Sequence, residues 1–380
     1  MFEDCQTYYC LQDLLKNYKD EKNLEVNLAS NGLSQQGAIE LGSILQKSQQ
    51  LTNLKLCLSK NSFGDEGTQF IANSLTNCQY LVKLEFQLYS NDITYQGAAK
   101  IGIQLTMFKN LTNLSLDLSY NKINDEGCCC LGKSLENCKN INELIINLQF
   151  NNISSLGINQ FGKNLSKIEN MQNLNLILSQ NKIDHSCNLG DSLSILNNLK
   201  ELTLDLSKNN LGDEGSSNLS QNLSKSHSIE FLTLKLSLNQ IGVIGASKIF
   251  GSLSNFEKLS KLDLFLRENK INKVTPILGY SLARCANLKR FALDLNQNSF
   301  GTEDVFLLGN AFQQSKIKTL TLELNQSSQN IDFSNIINDL SKSVHFNCLQ
   351  LYLSFYKASS NIRNKFIRKS IRLVNLDVQL

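Results

Sequence analysis

Acid–base or metal chemistry in this sequence would depend on three histidines and eleven cysteines. The histidines are His185, His227 and His345, and their wide separation along the chain favours isolated turn or surface positions over a shared site. The cysteine count is odd and no Cys-x-x-Cys pair occurs, which argues against a disulfide framework and against a common zinc site. The consecutive cysteines at 128–130 would point in three directions from a helix, so they cannot together hold one ion.

The sequence also lacks the common catalytic motifs. It has no His-Glu-x-x-His pair, no Gly-x-Ser-x-Gly elbow, no Walker loop and no dinucleotide fingerprint. A kinase would need a catalytic His-Arg-Asp loop and an Asp-Phe-Gly triplet, and Asp332-Phe333-Ser334 does not supply the latter. We therefore expect a protein without enzyme activity, metal or cofactor, whose function depends on how its repeated elements present a surface.

A periodic pattern of apolar residues organises the chain. Within Leu51–Gly67, the residues Leu54, Leu56 and Leu58 alternate with other residues, which is the period-two pattern of a strand with one buried face. This triplet occurs thirteen times in all, with its third member at 28, 58, 88, 118, 148, 178, 206, 236, 266, 295, 324, 353 and 380. The steps between these positions are nearly constant, and a fixed period of roughly 30 residues indicates a solenoid.

An asparagine stands three residues after most of these triplets. An amide side chain both donates to and accepts from the backbone, so stacked asparagines can satisfy the polar groups of each turn that leaves a strand. We expect a structural asparagine ladder made of Asn31, Asn61, Asn91, Asn121, Asn151, Asn181, Asn209, Asn239, Asn269 and Asn298.

A helix is expected after each asparagine. The segments that begin at Gly64, Asn124 and Gly212 place Asp-Glu carboxylates in the first helical turn, where the helix dipole favours them. One strand and one helix cannot bury their own apolar faces, so stacked repeats must supply the core. Strands pack about 4.8 Å apart whereas helices need about 10 Å. The expected fold is a right-handed α/β solenoid of about thirteen strand–helix units, curved into a horseshoe with a parallel sheet on its concave face and helices on its convex face.

The pattern L-x-L-x-L-x-x-N-x-I, followed by Asp-Glu-Gly and a helix, resembles the ribonuclease-inhibitor class of leucine-rich repeats. The resemblance covers roughly residues 20–380. An additional apolar position before the strands, as at Leu51, Leu81 and Leu111, makes the repeats similar to the 30-residue repeats of large protist families, some of them kinase-related. The resemblance implies the horseshoe fold and a role in protein–protein interaction.

The regularity of the repeats changes along the chain. We predict an N-terminal capping helix (1–20), a leucine-rich-repeat solenoid (21–324), and degenerate C-terminal repeats with a cap (325–380). The asparagine position is occupied by Ser327 and Tyr356 in the last part, and a basic helix at Ser360–Arg372 is either a handle for an acidic partner or a solvated face. The repeat that contains His185 and Cys187 is two residues short, which favours a tolerated shortening over a site.

Charge and composition favour a soluble intracellular protein. The net charge of +3 gives no strong field for nucleic acid or membrane. No apolar run has the character of a secretory signal or the length of a membrane span. Three cysteines, Cys78, Cys138 and Cys285, share nearly the same repeat position, which indicates a packing position for a reduced thiol. We expect a cytoplasmic monomer that binds no small molecule.

Binding is therefore expected on the concave face, where the residues between the leucines point. Most of these residues are small or polar, whereas Phe231, Phe265 and Tyr352 are large and have no buried role in the alternation. Aromatic anchors with charges around them are typical of protein-binding hot spots. The predicted protein-binding residues are Phe231, Lys235, Asp263, Phe265, Asp294, Glu323 and Tyr352. The alternatives are that the two phenylalanines cover each other, or that the register slips there.

A second candidate surface is the loop edge that follows the strands. Tyr89, Tyr120 and Phe150 lie there in three successive repeats. They form either a binding surface or a stack that packs each ring onto the next repeat.

Three functions fit this architecture. The first is a non-catalytic scaffold that binds a protein partner on the concave face. The second comes from a resemblance to the GTPase-activating protein of the nuclear-transport GTPase Ran, which has the same repeat class and a similar length; this chain lacks its acidic C-terminal tail. The third is a structural component of a cytoskeletal or ciliary assembly. Inhibition of a basic ribonuclease would require a more acidic concave face.

Overall fold

The computed structural model describes residues 6–325, 331, 333, 336, 339–340, 343 and 345–353. These residues belong to two compact units. The first unit comprises the described residues up to Ile183 together with Ile195–Leu199. The second comprises Asp184–Ser194 and the described residues from Lys200 onward.

Strands and helices alternate in the first unit. Its strands are β1 (Gln6–Tyr8), β2 (Asn23–Asn27), β3 (Asn53–Cys57), β4 (Lys83–Gln87), β5 (Asn113–Asp117), β6 (Glu143–Asn147) and β7 (Asn173–Ile177). Its helices are α1 (Leu11–Asn17), α2 (Ser34–Leu45), α3 (Gly64–Ser74), α4 (Tyr95–Leu105), α5 (Asn124–Leu135) and α6 (Ser155–Leu165), with a 3₁₀ turn at Leu75–Asn77. Each strand pairs in parallel with the next one along the chain.

The second unit follows the same plan. Its helices are α7 (Leu189–Ser194), α8 (Gly212–Leu223), α9 (Val243–Ser252), α10 (Ile277–Arg284) and α11 (Thr302–Gln313), with a 3₁₀ turn at Leu253–Asn255. Its strands are β8 (Glu201–Asp205), β9 (Phe231–Lys235), β10 (Lys261–Phe265), β11 (Arg290–Asp294), β12 (Thr319–Leu324) and β13 (Cys348–Leu353). They too are parallel and paired in chain order.

The apolar triplets form the core between strands and helices. Leu54, Leu56 and Leu58 are fully buried, and the same holds within a few per cent for the triplets of β2 to β13. Burying one such leucine contributes about 1.5–3 kcal/mol, so the stacked triplets dominate the stability of each unit. The α/β repeat predicted from the period-two pattern is confirmed.

The described residues form thirteen strands, but these are not the thirteen predicted from the triplets. Twelve of the thirteen triplets lie on strands β2 to β13, and β1 is an additional strand. The thirteenth triplet, at 376–380, lies outside the described residues, as do Ser327, Tyr356 and the basic segment Ser360–Arg372.

The N-terminal prediction needs correction. Within the described part of segment 1–20, a helix spans Leu11–Asn17 and the strand β1 precedes it. β1 pairs with β2 over three residues, so it covers the backbone edge that β2 would otherwise expose. Tyr8 and Leu14 are buried at 2% and 0% exposure and cover the apolar end of the first repeat.

The short sixth step corresponds to a short helix. α7 has six residues, compared with eleven in α6 and twelve in α8. Cys187 is buried in the loop before it, and His185 is exposed. The two-residue shortening thus falls in the loop and helix of this repeat, and the strands β7 and β8 keep their length of five residues.

Candidate functional site

Five of the seven predicted binding residues occupy equivalent positions near the ends of adjacent strands in the second unit. The register aligns them in the order Lys235 (β9), Phe265 (β10), Asp294 (β11), Glu323 (β12) and Tyr352 (β13). Neighbouring strands lie about 4.8 Å apart, so their side chains form one row. We call it the strand-end row, and we call the side of the sheet that carries the residues between the leucines the open face.

The two remaining residues lie elsewhere on the open face. Phe231 is the first residue of β9 and pairs with Glu201 and Lys261, so the register does not slip there. It lies roughly 13 Å along the strand from the strand-end row, at about 3.3 Å per residue. Phe231 is 40% exposed and Phe265 is half-buried. The two rings are therefore separate, partly solvated features.

The charges around the phenylalanines are paired with each other. Lys261, which pairs with Phe231 in the register, has its Nζ 2.8 Å from Asp263 Oδ2. Lys235 Nζ lies 3.7 Å from Asp205 Oδ2 on the preceding strand, β8. Such partly exposed pairs contribute about 0–1 kcal/mol each, so a partner could exchange them at little cost.

Asp294 differs from the exposed rim charge that the sequence led us to expect. It is only 8% exposed, and burial raises the pKa of its carboxyl above the usual value of 3.8. The backbone N–H of Asn296 donates to Asp294 Oδ1 at 2.9 Å and acts in the opposite direction on this pKa. Asn296 Nδ2 also donates to Glu323 Oε2 at 2.9 Å. Asp294 is therefore mainly a structural residue.

The same hydrogen bond recurs at other strand ends. A side-chain oxygen on the last strand residue accepts from the N–H two residues later, which stabilises the turn. The residues that do so are Asp117, Asn147, Asp205 and Asp294, with distances of 2.9–3.0 Å. Phe265 has no oxygen to make this bond. The turn is stabilised by a residue with a side-chain oxygen at this position, so it does not explain why a phenylalanine stands there.

The asparagines hold consecutive turns together. Asn121 Nδ2 donates to Leu118 O at 2.9 Å in its own repeat and to Leu88 O at 3.0 Å in the preceding one. Its Oδ1 accepts from the N–H groups of Asn91 and Ile93, each at 3.0 Å. Equivalent amide bonds to the backbone are made by Asn61, Asn91, Asn151, Asn181, Asn209, Asn239, Asn269 and Asn298. Asn31, the first of the series, is exposed.

A second asparagine series was missed by the sequence analysis. These side chains lie after the helices, and each Nδ2 donates to a backbone carbonyl about one repeat earlier in the chain. The members are Asn110, Asn140, Asn170, Asn198 and Asn287. The first four recur at the same spacing as the strands, a signal that was visible in the sequence.

The loop-edge aromatics of the first unit form a continuous stack. Tyr120 and Phe150 are stacked at 4.9 Å between ring centroids with an interplanar angle of 18°. Tyr89 meets Tyr120 edge-on at 5.1 Å. Tyr120 and Phe150 are nevertheless 39% and 55% exposed. Packing and exposure, which the sequence analysis treated as alternatives, thus occur together.

The groups most capable of chemistry are dispersed. Within the described residues, no three of His, Cys, Asp and Glu are placed to hold a metal ion. His227 Nδ1 lies 3.2 Å from Glu257 Oε1, and both side chains are largely exposed. No helix among the residues that the structure describes is both long and apolar enough to cross a membrane.

The buried thiols of Cys78, Cys138 and Cys285 occupy one repeat position and donate to a carbonyl of the preceding repeat. The Sγ–O distances are 3.2, 3.5 and 3.3 Å. Burial raises the pKa of Cys78 to about 12 and the pKa values of Cys138 and Cys285 to about 11. These are structural thiols, since the reactive form is the thiolate.

Comparisons with known proteins concern the repeats. A family model described as "Leucine Rich repeat" matches residues 110–132, 200–220 and 230–250. No curated protein matches the chain. Among solved structures, internalin C2 from Listeria monocytogenes is similar at 23% identity, over 60% of this chain and 76% of that one, with a TM-score of 0.33.

A chain in the octameric complex of Latrophilin 3, Unc5D and FLRT2 is similar at 17% identity, over 87% of this chain and 84% of that one, with a TM-score of 0.46. Both similarities are too distant to bear on function. The repeating strand, asparagine turn and helix, together with the three matched segments, support assignment of these repeats to a leucine-rich repeat family.

Proposed function

We propose that this chain is a non-catalytic interaction scaffold that binds a protein partner on the open face of its second unit. The observation that carries the proposal is the presence of Phe231 and Phe265 on that face. Phe231 is 40% exposed and Phe265 is half-buried, and neither is required by the turn or by the core. Leucine-rich repeats generally act in protein–protein interaction, which agrees with this proposal.

The energetics favour anchoring by the two rings. Burying an aromatic hot-spot side chain in an interface commonly contributes about 2 kcal/mol or more, whereas rim ion pairs contribute little. Lys235 and Asp263 lie next to Phe265, and Glu323 and Tyr352 continue the strand-end row; these residues would set the orientation of a partner. The spacing of roughly 13 Å between Phe231 and the strand-end row suits two separate side-chain pockets on one partner surface.

We also propose a repeat class, an oligomeric state and a cellular location for this chain. We propose ribonuclease-inhibitor-like repeats, because the strands are followed by α-helices of six to twelve residues. We further propose a monomer located in the cytoplasm. Support for that location comes from Cys78, Cys138 and Cys285, whose thiols are each hydrogen-bonded to a carbonyl and free of disulfides.

The test is affinity purification of the tagged chain from cells that express it naturally, followed by quantitative mass spectrometry. The double variant Phe231→Ala, Phe265→Ala should reduce capture of a specific partner by at least about tenfold, the effect of losing about 1.4 kcal/mol. Phe306→Ala is the matched control, since Phe306 lies on α11 with 42% exposure. Partners retained equally by wild type and double variant would refute the assignment of this face.

A further inference from the structure

The first unit carries a second surface whose chemistry differs from the open face. Tyr120 and Phe150 both adopt left-handed backbone conformations, with φ of 55° and 54°. This conformation recurs just before the asparagines and is adopted there by Ser30, Lys60, Ser90, Gln180 and Lys208, among others. It disfavours any residue with a Cβ by about 1–2 kcal/mol, and a bulky ring gains no core contact there. Two exposed aromatic rings at such positions therefore call for a functional reason.

The rings form a platform held from both sides. The Tyr120 hydroxyl donates to Gln180 Oε1 at 3.1 Å. This bond joins Tyr120 to a residue two repeats later and spans the repeat of Phe150. Gln149 Nε2 donates to the same oxygen at 3.3 Å, which fixes Gln180 in turn. At the other end, Lys60 Nζ lies 5.4 Å from the centroid of the Tyr89 ring. The platform is thus ordered before any ligand arrives, which lowers the entropy cost of binding.

A surface depression of about 570 Å³ opens beside the platform. Phe150 provides its apolar wall, Asn152 and Gln180 provide amides, and Lys122 and Lys182 provide cations. No carboxylate is among the described residues that line it. A volume of this size accommodates one or two amino-acid side chains.

The nearby carboxylates are already engaged. Asp92 Oδ1 accepts from Lys122 Nζ at 2.8 Å, in a pair that is exposed on both sides and thus weakly held. Asp125 accepts from the backbone N–H of Ser154 at 2.6 Å and from its hydroxyl at 2.5 Å. Of the two cations that line the depression, Lys122 is thus paired with Asp92, and Lys182 supplies the net positive charge. Asp125 keeps its charge but is not among the described residues that line the depression. An anionic side chain can pair with Lys182 and compete with Asp92 for Lys122.

The ring geometry distinguishes between anionic ligands. A nucleic-acid strand would need several free ring faces on which successive bases could stack. Here Tyr120 and Phe150 cover one face of each other and Tyr120 also meets Tyr89, so the outer face of Phe150 is the one left for stacking. Ring edges and a lined depression suit an inserted side chain better than a stacked base.

We propose that this surface binds an acidic, extended peptide segment of a protein partner. An aromatic or aliphatic side chain of the peptide enters the depression against Phe150, and flanking carboxylates pair with Lys122 and Lys182. The site is built from residues of the first unit alone, so it stands independently of the function proposed for the open face.

The test uses the immobilised full chain and a phage-displayed library of random heptapeptides. Enriched sequences should combine carboxylates with an aromatic or large aliphatic residue. Their synthetic, fluorescein-labelled forms should bind at least about tenfold more weakly to Phe150→Ala and to Lys182→Glu. Their affinity should also fall as salt is raised from about 50 to about 300 mM, because charge pairing is screened.

Lys270→Glu is the matched control, because Lys270 follows its ladder asparagine in the same way as Lys182 and lies in the second unit. Binding to this variant should stay within about twofold of wild type. Melting curves check that each variant is folded. A library that yields no enriched sequence, enriched peptides that are basic or neutral, or peptides that bind Lys182→Glu as well as wild type would overturn the proposal. Tight binding of labelled oligothymidine that depends on Phe150 would assign the surface to nucleic acid instead.

Discussion

Asp65, in the first turn of α3, accepts hydrogen bonds from the backbone N–H of Thr94 at 2.8 Å and from its hydroxyl at 2.6 Å. Thr94 precedes α4, so a carboxylate of one repeat caps the helix of the next. The N–H of Gly97 donates to the same carboxylate at 2.9 Å. Asp125 and Asp213 make the equivalent bonds to the starts of α6 and α9. These carboxylates therefore join repeats as well as favouring their own helix.

Removal of this cap should destabilise the first unit. Asp65→Ala leaves three donors at the start of α4 without their partner, and we expect a loss of about 2–3 kcal/mol in the free energy of unfolding. Urea denaturation followed by circular dichroism measures this loss. Glu66→Ala, in the same helical turn but exposed, is the control and should cost less than about 1 kcal/mol. Equal losses for the two variants would contradict the proposed role of Asp65.

Gly97 offers an independent check of the same contact. A Cβ at this position would lie 2.5 Å from Asp65 Oδ1 and 2.7 Å from Ile93 Cγ2, which is too close for either atom. Gly97→Ala should therefore destabilise the chain by about 1–3 kcal/mol, even though alanine is the better helix former. Comparison of urea midpoints decides the sign, and a stabilised variant would show that α3 and α4 can move apart freely.

The asparagine ladder gives the clearest stability prediction. Asn121→Ala removes amide bonds to Leu88 O and Leu118 O and leaves the N–H groups of Asn91 and Ile93 unpaired in the interior. We expect a loss of about 2–4 kcal/mol, measured by urea denaturation. Asn170→Ala, which removes one exposed bond to Lys139 O, should cost less than about 1 kcal/mol.

Phe265 separates binding from stability. Phe265→Asn introduces a side-chain oxygen where other strand ends use one, so the unfolding free energy should be unchanged or raised by up to about 1 kcal/mol. Partner capture should nevertheless fall, as we expect for the double variant Phe231→Ala, Phe265→Ala. A variant that is clearly destabilised would indicate instead that Phe265 is needed for packing.

Asp294 should make stability depend on pH in a defined direction. Because burial raises its pKa in the folded protein above 3.8, the native state holds this proton more tightly than the unfolded state does. Its contribution to stability is present below pH 3.8 and is lost as the pH rises through the folded pKa. Asp294→Asn should thus stabilise the chain at pH 7, with a gain that disappears in acid. Asp205→Asn, at the same strand position, is the control and should show no such gain, because it also breaks the pair with Lys235.

The cysteines should label in an order set by burial. At pH 8 a thiol with a pKa of about 11, such as that of Cys285, is thiolate in only about one molecule in a thousand. Brief treatment of the native protein with iodoacetamide, followed by peptide mass spectrometry, should modify the exposed Cys10 well before Cys285. Comparable rates for the two would show that the second unit opens readily.

The strands were predictable because their signal is local and repeated. Leu54, Leu56 and Leu58 alternate within a single short segment, and the same pattern returns at nearly constant spacing. β1 escaped prediction because its three residues contain no such triplet and gain their place by pairing with β2. The link from Asp65 to Thr94 depends on which turns face each other across repeats, although the recurrence of Asp125 and Ser154 at the same separation offered a signal.

The candidate sites were predictable in position and less so in character. The alternation placed Phe231 and Phe265 on the open face, whereas the burial of Asp294 depends on neighbouring strands and on the turn at Asn296. The loop-edge rings illustrate the same limit. Whether Tyr120 and Phe150 pack, project or do both depends on side-chain torsions that a repeat pattern does not specify.

The alternation of helix starts has a consequence for how this chain can be lengthened or shortened. Asp65 and Asp125 stand two repeats apart, and the helix between them, α4, receives a carboxylate without offering one. Excision of a single repeat between α3 and α6 would therefore place two helices that carry a carboxylate side by side, or two helices whose first turns need one. Between α3 and α6, excision of two consecutive repeats would restore the match, which makes the two-repeat block the natural unit for redesigning this part of the protein. The next such carboxylate, Asp213, lies three repeats after Asp125, so the rule does not extend to α8.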